Sequence, residues 1–320
     1  MSLRRLFSAI AILLLAFASG CAAKKPTVSA GQISAFLAAK PEALRPFFRP
    51  VIADRPQNRT LHLMRAGVAA MDLGERAIAK EVFDEVLGRI EVVYANDPDA
   101  RKARSKWFDE GRKTFIGEPY ERTMAYYYRG ILHLQDGEYD TARACFRSGM
   151  LQDAFAEDKQ NRCDFALMSF LDGWCSQRLG NLDKANEAYD EAELLLAARG
   201  GTETFKRPGP DDNILVVADT GEAPRTEAGG EGRRTLFYAQ GAGTSDRIVT
   251  VNLTGQPVQL LAIEDIYRQA TTRGGRAVDE VLGKKFRTKQ RLDDGGSITM
   301  EVGKTIGLFA AYGVLWTTII

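Results

Sequence analysis

Helical spacing of apolar residues organises the chain from residue 59 to about residue 200 and is lost beyond it. Over 59–200 the pattern predicts paired amphipathic helices, each with one apolar face. After "LLLAARGG" the composition changes. Residues 201–212, "GTETFKRPGPDD", carry Pro, Gly and Asp and read as a linker. Three short runs follow, "ILVVADTG", "RTLFYAQG" and "RIVTVNLTG", each stopped by glycine and each predicted as a strand. "AIEDIYRQATTRGGRAVDEVLGKK" returns to helical spacing, broken at "RGGR", and "SITMEVGK" predicts one more strand. The closing run "TIGLFAAYGVLWTTII" is apolar but short of the roughly twenty residues that span a bilayer. The fold expected is mainly α: helical hairpins, then a small α+β unit over 213–304, then an apolar segment over 305–320.

One pattern within the helical part is written three times. "GERAIAKEVF", "GEYDTARACF" and "GNLDKANEAY" share a glycine, an alanine five places on and an aromatic four further, and another glycine stands seven residues before each. The register is Gly67, Gly74, Ala79, Phe83; then Gly130, Gly137, Ala142, Phe146; then Gly173, Gly180, Ala185, Tyr189. It resembles the tetratricopeptide (TPR) repeat, with small residues at positions 8 and 20, glycine at 15 and an aromatic at 24. Physically, the small residues let two helices approach, the aromatic fills the space beside them, and the middle glycine ends the first helix in a left-handed conformation. Each pair leaves an apolar face bare, so neighbours must stack. The spacing departs from the regular 34 residues. A polar insert around "QDAFAEDKQNRCD" widens one gap, and the other holds "DPDARKARSKWFDEGRKTF", which reads as helical.

By the same resemblance, repeats of this type bind through the inner face of the first helix of each pair. The matching positions are Leu61, Met64, Val68 and Met71; Met124, Tyr127, Ile131 and Leu134; and Leu167, Phe170, Trp174 and Gln177. All but Gln177 are apolar, so the groove suits an amphipathic helix or apolar peptide rather than a charged tail. The competing expectation is a groove filled in cis, by "ISAFLAAKPEALRPFFRPVI" or by the apolar carboxyl end.

The first twenty residues look removable. "MSLRR" is followed by the apolar run "LFSAIAILLLAF" and the small residues "ASG", a signal-peptide layout. "ASGC" resembles a bacterial lipobox, which implies diacylglyceryl attachment at Cys21 and a multi-acyl anchor. Ala22 rather than aspartate follows, and by that resemblance the protein sits on the outer membrane, probing the periplasm from a tether and extended segment over 21–58. Cys145, Cys163 and Cys175 remain; 145 with 175 is the disulfide to test, against the plainer role of small buried hydrophobes.

"GEPYERTMAYYYRGILHLQDGEYDTARACFRSGMLQD", "DNILVVADTGEAPR" and "EDIYRQATTRGGRAVDEVLG" resemble a family of uncharacterised bacterial outer-membrane lipoproteins with TPR-type repeats, over about residues 55 to 305. The resemblance implies place and architecture and no reaction. In that family more polar sequence follows the terminal apolar stretch, so a natural end beyond residue 320 is implied.

Catalytic chemistry finds little support. The two histidines, His62 and His133, lie in different repeats, and no zinc spacing, nucleophile elbow, Walker loop or dinucleotide fingerprint occurs. Lys plus Arg number 43 against 42 for Asp plus Glu, which argues for no polyanionic partner. Two basic stretches, "RKARSKWFDEGRK" and Arg268 to Arg291, read as solvated faces, with anionic lipid or an acidic partner as the alternative. The expectation is a non-enzymatic, lipid-anchored periplasmic scaffold binding an envelope protein, without cofactor, metal, nucleic acid or small-molecule substrate. The alternatives are an activator of a peptidoglycan synthase or other envelope enzyme, a subunit of an oligomeric channel or export complex, and an enzyme whose site lies in the carboxyl-terminal unit.

Overall fold

The computed structural model describes residues 28–94, 117–154, 164–199, 205–229, 235–242, 249–253, 256–273, 276–277 and 317–318. Eight helices come first: α1 Ala30–Ala38, α2 Arg45–Ala53, α3 Arg59–Asp72, α4 Arg76–Tyr94, α5 Pro119–Gln135, α6 Tyr139–Ala154, α7 Ala166–Arg178 and α8 Leu182–Ala198. The pairs α3/α4, α5/α6 and α7/α8 are hairpins, and each second helix packs on the first helix of the next pair. This is a TPR-like stack.

The repeated residues do in the structure what their spacing demands. A Cβ placed on Gly67 would lie 2.8 Å from the Phe83 ring, on Gly130 2.4 Å from Phe146, and on Gly173 2.5 Å from Tyr189. All three are closer than any real carbon contact, so only glycine lets the aromatic of the second helix lie flat on the backbone of the first. Ala79, Ala142 and Ala185 are buried at the same crossings. Gly74, Gly137 and Gly180 take φ of +74, +76 and +78. The amide after each closes the helix by donating to the carbonyl five residues back: Glu75 to Ala70 at 2.8 Å, Glu138 to His133 at 3.0 Å, Asn181 to Ser176 at 2.9 Å.

Charge pairs set the order of the stack. The residue after each aromatic faces the residue before the next repeat's glycine. Asp84 accepts from Arg129 at 2.6 Å in the first junction. In the second the signs are reversed, with Asp172 accepting from Arg143 at 2.6 Å and the Arg147 guanidinium 3.8 Å away. After the third repeat Arg207 takes the same place, at 2.5 Å from Asp190 and 2.7 Å from Glu193. The more exposed of these pairs add little stability, but shuffled repeats would bring like charges together.

Residues 30–53, expected as extended tether, are helical instead. Ser29 and Gln32 form a reciprocal capping box that starts α1. Pro46 sits where a helix tolerates it, in the first turn of α2, and the helix continues through Pro50. Burial of Leu44, Phe48 and Val51 against α3 is what holds this layer. It caps the first repeat rather than filling the groove.

The carboxyl-terminal unit contains α9 Ile266–Thr271 and the strands β1 Arg225–Gly229, β2 Thr235–Ala239, β3 Val249–Leu253, β4 Gln256–Ala262, β5 Thr272–Arg273, β6 Arg276–Ala277 and β7 Thr317–Thr318. All pairings are antiparallel: β1 with β2 (Arg225 opposite Ala239), β3 with β4 (Val249 opposite Leu260), β5 with β6, and β7 on the far edge of β4 (Leu261 opposite Thr318). Two expectations are corrected. "ILVVADTG" joins no sheet apart from an isolated bridge at Val216, because its partners are helix side chains rather than a strand. The helix expected across "AIEDIYRQATTRGGRAVDEVLGKK" stops after Thr271, where Thr272–Arg273 pairs antiparallel with Arg276–Ala277. "DPDARKARSKWFDEGRKTF", "SITMEVGK" and most of the closing apolar run lie outside the described residues.

Candidate protein-binding groove

The twelve groove residues lie on α3, α5 and α7, four to each helix. Leu61, Met64 and Val68 of α3, Met124, Tyr127 and Ile131 of α5, and Leu167, Phe170 and Trp174 of α7 are buried; Met71, Leu134 and Gln177 are half-buried. Tyr127 and Phe170 are completely covered. An open apolar trough would leave such side chains wet, so something lies over them.

Among the described residues the cover is a strap of the chain's own residues, from 205 to 224, and not the segment before the repeats; the apolar carboxyl end lies almost wholly outside the described residues. It begins at Phe205, whose ring meets Phe170 edge-on at 4.9 Å and Tyr189 at 6.1 Å. The Gln177 side-chain amide then donates to the Gly209 carbonyl at 2.6 Å. Leu215 and Val217, two residues apart as in an extended chain, pack against the core while Ile214 stays exposed. The Asp219 carboxylate comes within electrostatic reach of Tyr127, Tyr128 and Asp72, and burial pushes it well above the usual carboxylate range. Ala223 is buried where the strap ends. The stretch that reads as linker and first strand is thus the groove's occupant. The signal for this was present as alternation in "ILVVAD", but alternation does not reveal which surface an extended chain lies on.

Two polar clusters, unmarked by any motif, bolt the carboxyl-terminal unit to the stack. At the foot of α7, Glu264 is buried and accepts from Arg199 at 2.8 Å and Gln269 at 2.9 Å; the Leu167 amide lies at 3.4 Å. Arg199 also donates to the carbonyls of Ile263 at 2.8 Å and Asp164 at 2.6 Å. Burial raises the Glu264 carboxyl above its ordinary value, and the Arg199 charge holds it back. At the head of α5, Glu121 is buried, accepting from the Glu118 amide at 2.7 Å with the Tyr120 hydroxyl at 3.3 Å. Burial pushes its carboxyl up to about 8, more than these hydrogen bonds and Arg122 offset. Tyr120 in turn meets the Tyr238 ring of β2 edge-on at 6.0 Å.

The remaining candidates have structural surroundings. His62 lies 2.7 Å from Asp54, clasping α3 to the end of α2, and His133 pairs with Glu138 across the hairpin turn. Cys145 and Cys175 are free thiols, and burial pushes both upward, Cys145 to about 11. Among the described residues no group of three or more His, Cys, Asp or Glu is placed to hold a metal. Among them, too, no helix is long and apolar enough to cross a membrane. Cys21, Cys163 and the basic run 101–113 lie outside the described residues, as does nearly all of 274–291.

No protein-family model matches the chain, and no curated protein matches it. Among solved structures, the crystal structure of MamA is similar at 16% identity, covering 54% of this chain and 86% of that one, with a TM-score of 0.32. A likeness so slight adds nothing to what the chain's own hairpins define, which is a TPR-like helical repeat protein with an α+β unit.

Proposed function

We propose that this chain is a non-enzymatic scaffold of the bacterial cell envelope, anchored by lipid at Cys21 on the periplasmic side of the outer membrane and docking a protein partner along the concave side of its repeats. The strap is the observation that carries the reading. An extended segment with apolar residues at alternate positions already lies against α3, α5 and α7, so the groove's chemistry matches a peptide of that kind. With the strap in place, Ile214 stands exposed on it, and a partner would either read that face or displace the strap.

A photo-crosslinking amino acid at 214, used in intact cells and followed by mass spectrometry, tests this. The expected result is one recurrent envelope protein captured from this position and not from Lys184 or Glu187 on the exposed side of α8. Capture from α8 alone, or from neither, would refute concave docking. A peptidoglycan synthase or an export-channel subunit among the captured proteins would define the process served. Palmitate labelling that persists in Cys21→Ser would sink the anchor.

A further inference from the structure

The end of the stack nearest Cys21 has a chemistry of its own. Between residues 22 and 53 the only acid is Glu42, against Lys24, Lys25, Lys40, Arg45 and Arg49, in a chain whose overall charge is +1. α1 and α2 enclose an open groove of about 390 Å³, with Ile33, Ser34 and Leu37 on one side and Arg45 and Arg49 on the other. Both arginines are exposed, and neither has a carboxylate partner among the described residues. Arg45 is held in place by its Nε, which donates to the carbonyls of Leu37 at 3.1 Å and Lys40 at 3.2 Å, leaving the outer guanidinium nitrogens to face outward. Lys40 caps the Phe48 ring at 4.6 Å, so its charge is fixed beside the groove. Ala30 stands nine positions after Cys21, a reach of about 30 Å at full extension.

We propose that this groove is a contact for the headgroups of anionic phospholipids, seating the α1–α2 layer on the membrane that holds the anchor. The occupant follows from charge and chain length together. A short tether keeps the layer within reach of a lipid surface, the two arginines match a phosphodiester, and the apolar wall suits the glycerol and first methylenes beneath it. The inference rests on the lipid-anchor reading for its biological setting, but the groove's preference for anionic headgroups can be measured without the anchor.

The test uses the chain from residue 21 with Cys21→Ser, which carries no lipid, sedimented with vesicles of phosphatidylcholine alone or with a third phosphatidylglycerol. Binding is expected only to the anionic vesicles and is expected to weaken with salt. Arg45→Ala with Arg49→Ala should lower the partition coefficient about 25-fold, about fivefold for each arginine, at an unchanged melting temperature. Lys184→Ala on α8 should leave it unchanged. Equal binding to both vesicles, or an undiminished partition coefficient in the double variant, would overturn the proposal. So would self-association of the chain that the double variant abolishes, since a second copy would then cover the groove. Failure of palmitate labelling at Cys21 would remove the anchor while leaving the vesicle result to stand by itself.

Discussion

Gly130→Ala is the sharpest probe of how the stack is held. The added methyl would lie 2.4, 2.8 and 2.9 Å from Cε1, Cζ and Cδ1 of Phe146. Carbon atoms rest at about 3.5–4.0 Å, so the ring or the helix must move by more than about 1 Å. The ring has nowhere to go: Phe146 is fully buried, with the Tyr127 ring behind it at 6.4 Å. Overpacking of this sort costs about 1–3 kcal/mol, set against about 1 kcal/mol gained by replacing a helical glycine with alanine. A net loss of up to about 2 kcal/mol is expected in urea denaturation followed by circular dichroism, with an unchanged dependence on urea. Gly88→Ala supplies the contrast. It too is helical, in α4, but nothing lies within 4 Å of its added methyl, so stability should rise by about 0.5–1 kcal/mol. Combining Gly130→Ala with Phe146→Leu should recover part of the loss, because the smaller side chain yields the space. If Gly130→Ala raised stability, as Gly88→Ala is expected to, glycine–aromatic contact would not be what sets the helix spacing.

Two further outcomes follow from the buried polar clusters. Arg199→Ala strands the Glu264 carboxylate, whose side chain has no exposed surface, and should cost about 3–5 kcal/mol in the same denaturation; adding Glu264→Gln should restore a good part, and a single-variant loss below about 1 kcal/mol would show that the pair does not join the two units. For Glu121 the sign is fixed by its folded value of about 8, above the ordinary 4.5. The neutral form is the folded one, so the group favours folding fully below pH 4.5 and that contribution is lost as pH rises to 8, by at most about 1.4 kcal/mol per pH unit; Glu121→Gln, compared with the native chain at pH 5.5 and 7.5, should flatten the slope, and an identical slope would contradict the assignment.

The hairpins were legible because everything that makes them is local. Position 8 meets position 24 sixteen residues later within one hairpin, and both must be of a particular size, so Gly130 and Phe146 leave a mark that recurs as Gly67 with Phe83 and Gly173 with Tyr189. The left-handed turns at Gly74, Gly137 and Gly180 are equally local, since only glycine enters them cheaply. The twelve groove residues follow from the same register, and in the structure they lie on the first helices of the three hairpins, most of them buried. What covers them could not be read in this way. Leu215 and Val217 alternate like a strand, and nothing in that pattern separates pairing with another strand from lying on helices. Arg199 and Glu264 stand 65 positions apart, and their partnership exists only because the chain returns to the foot of α7. The helices of residues 30–53 depend in the same way on Phe48 and Val51 finding α3 beneath them. The sequence by itself determined the repeating unit, because its contacts are short-range and size-selective; tertiary structure alone decided the strap, the bolts and the cap, because long-range burial imposes apolarity without recording which surface supplies it.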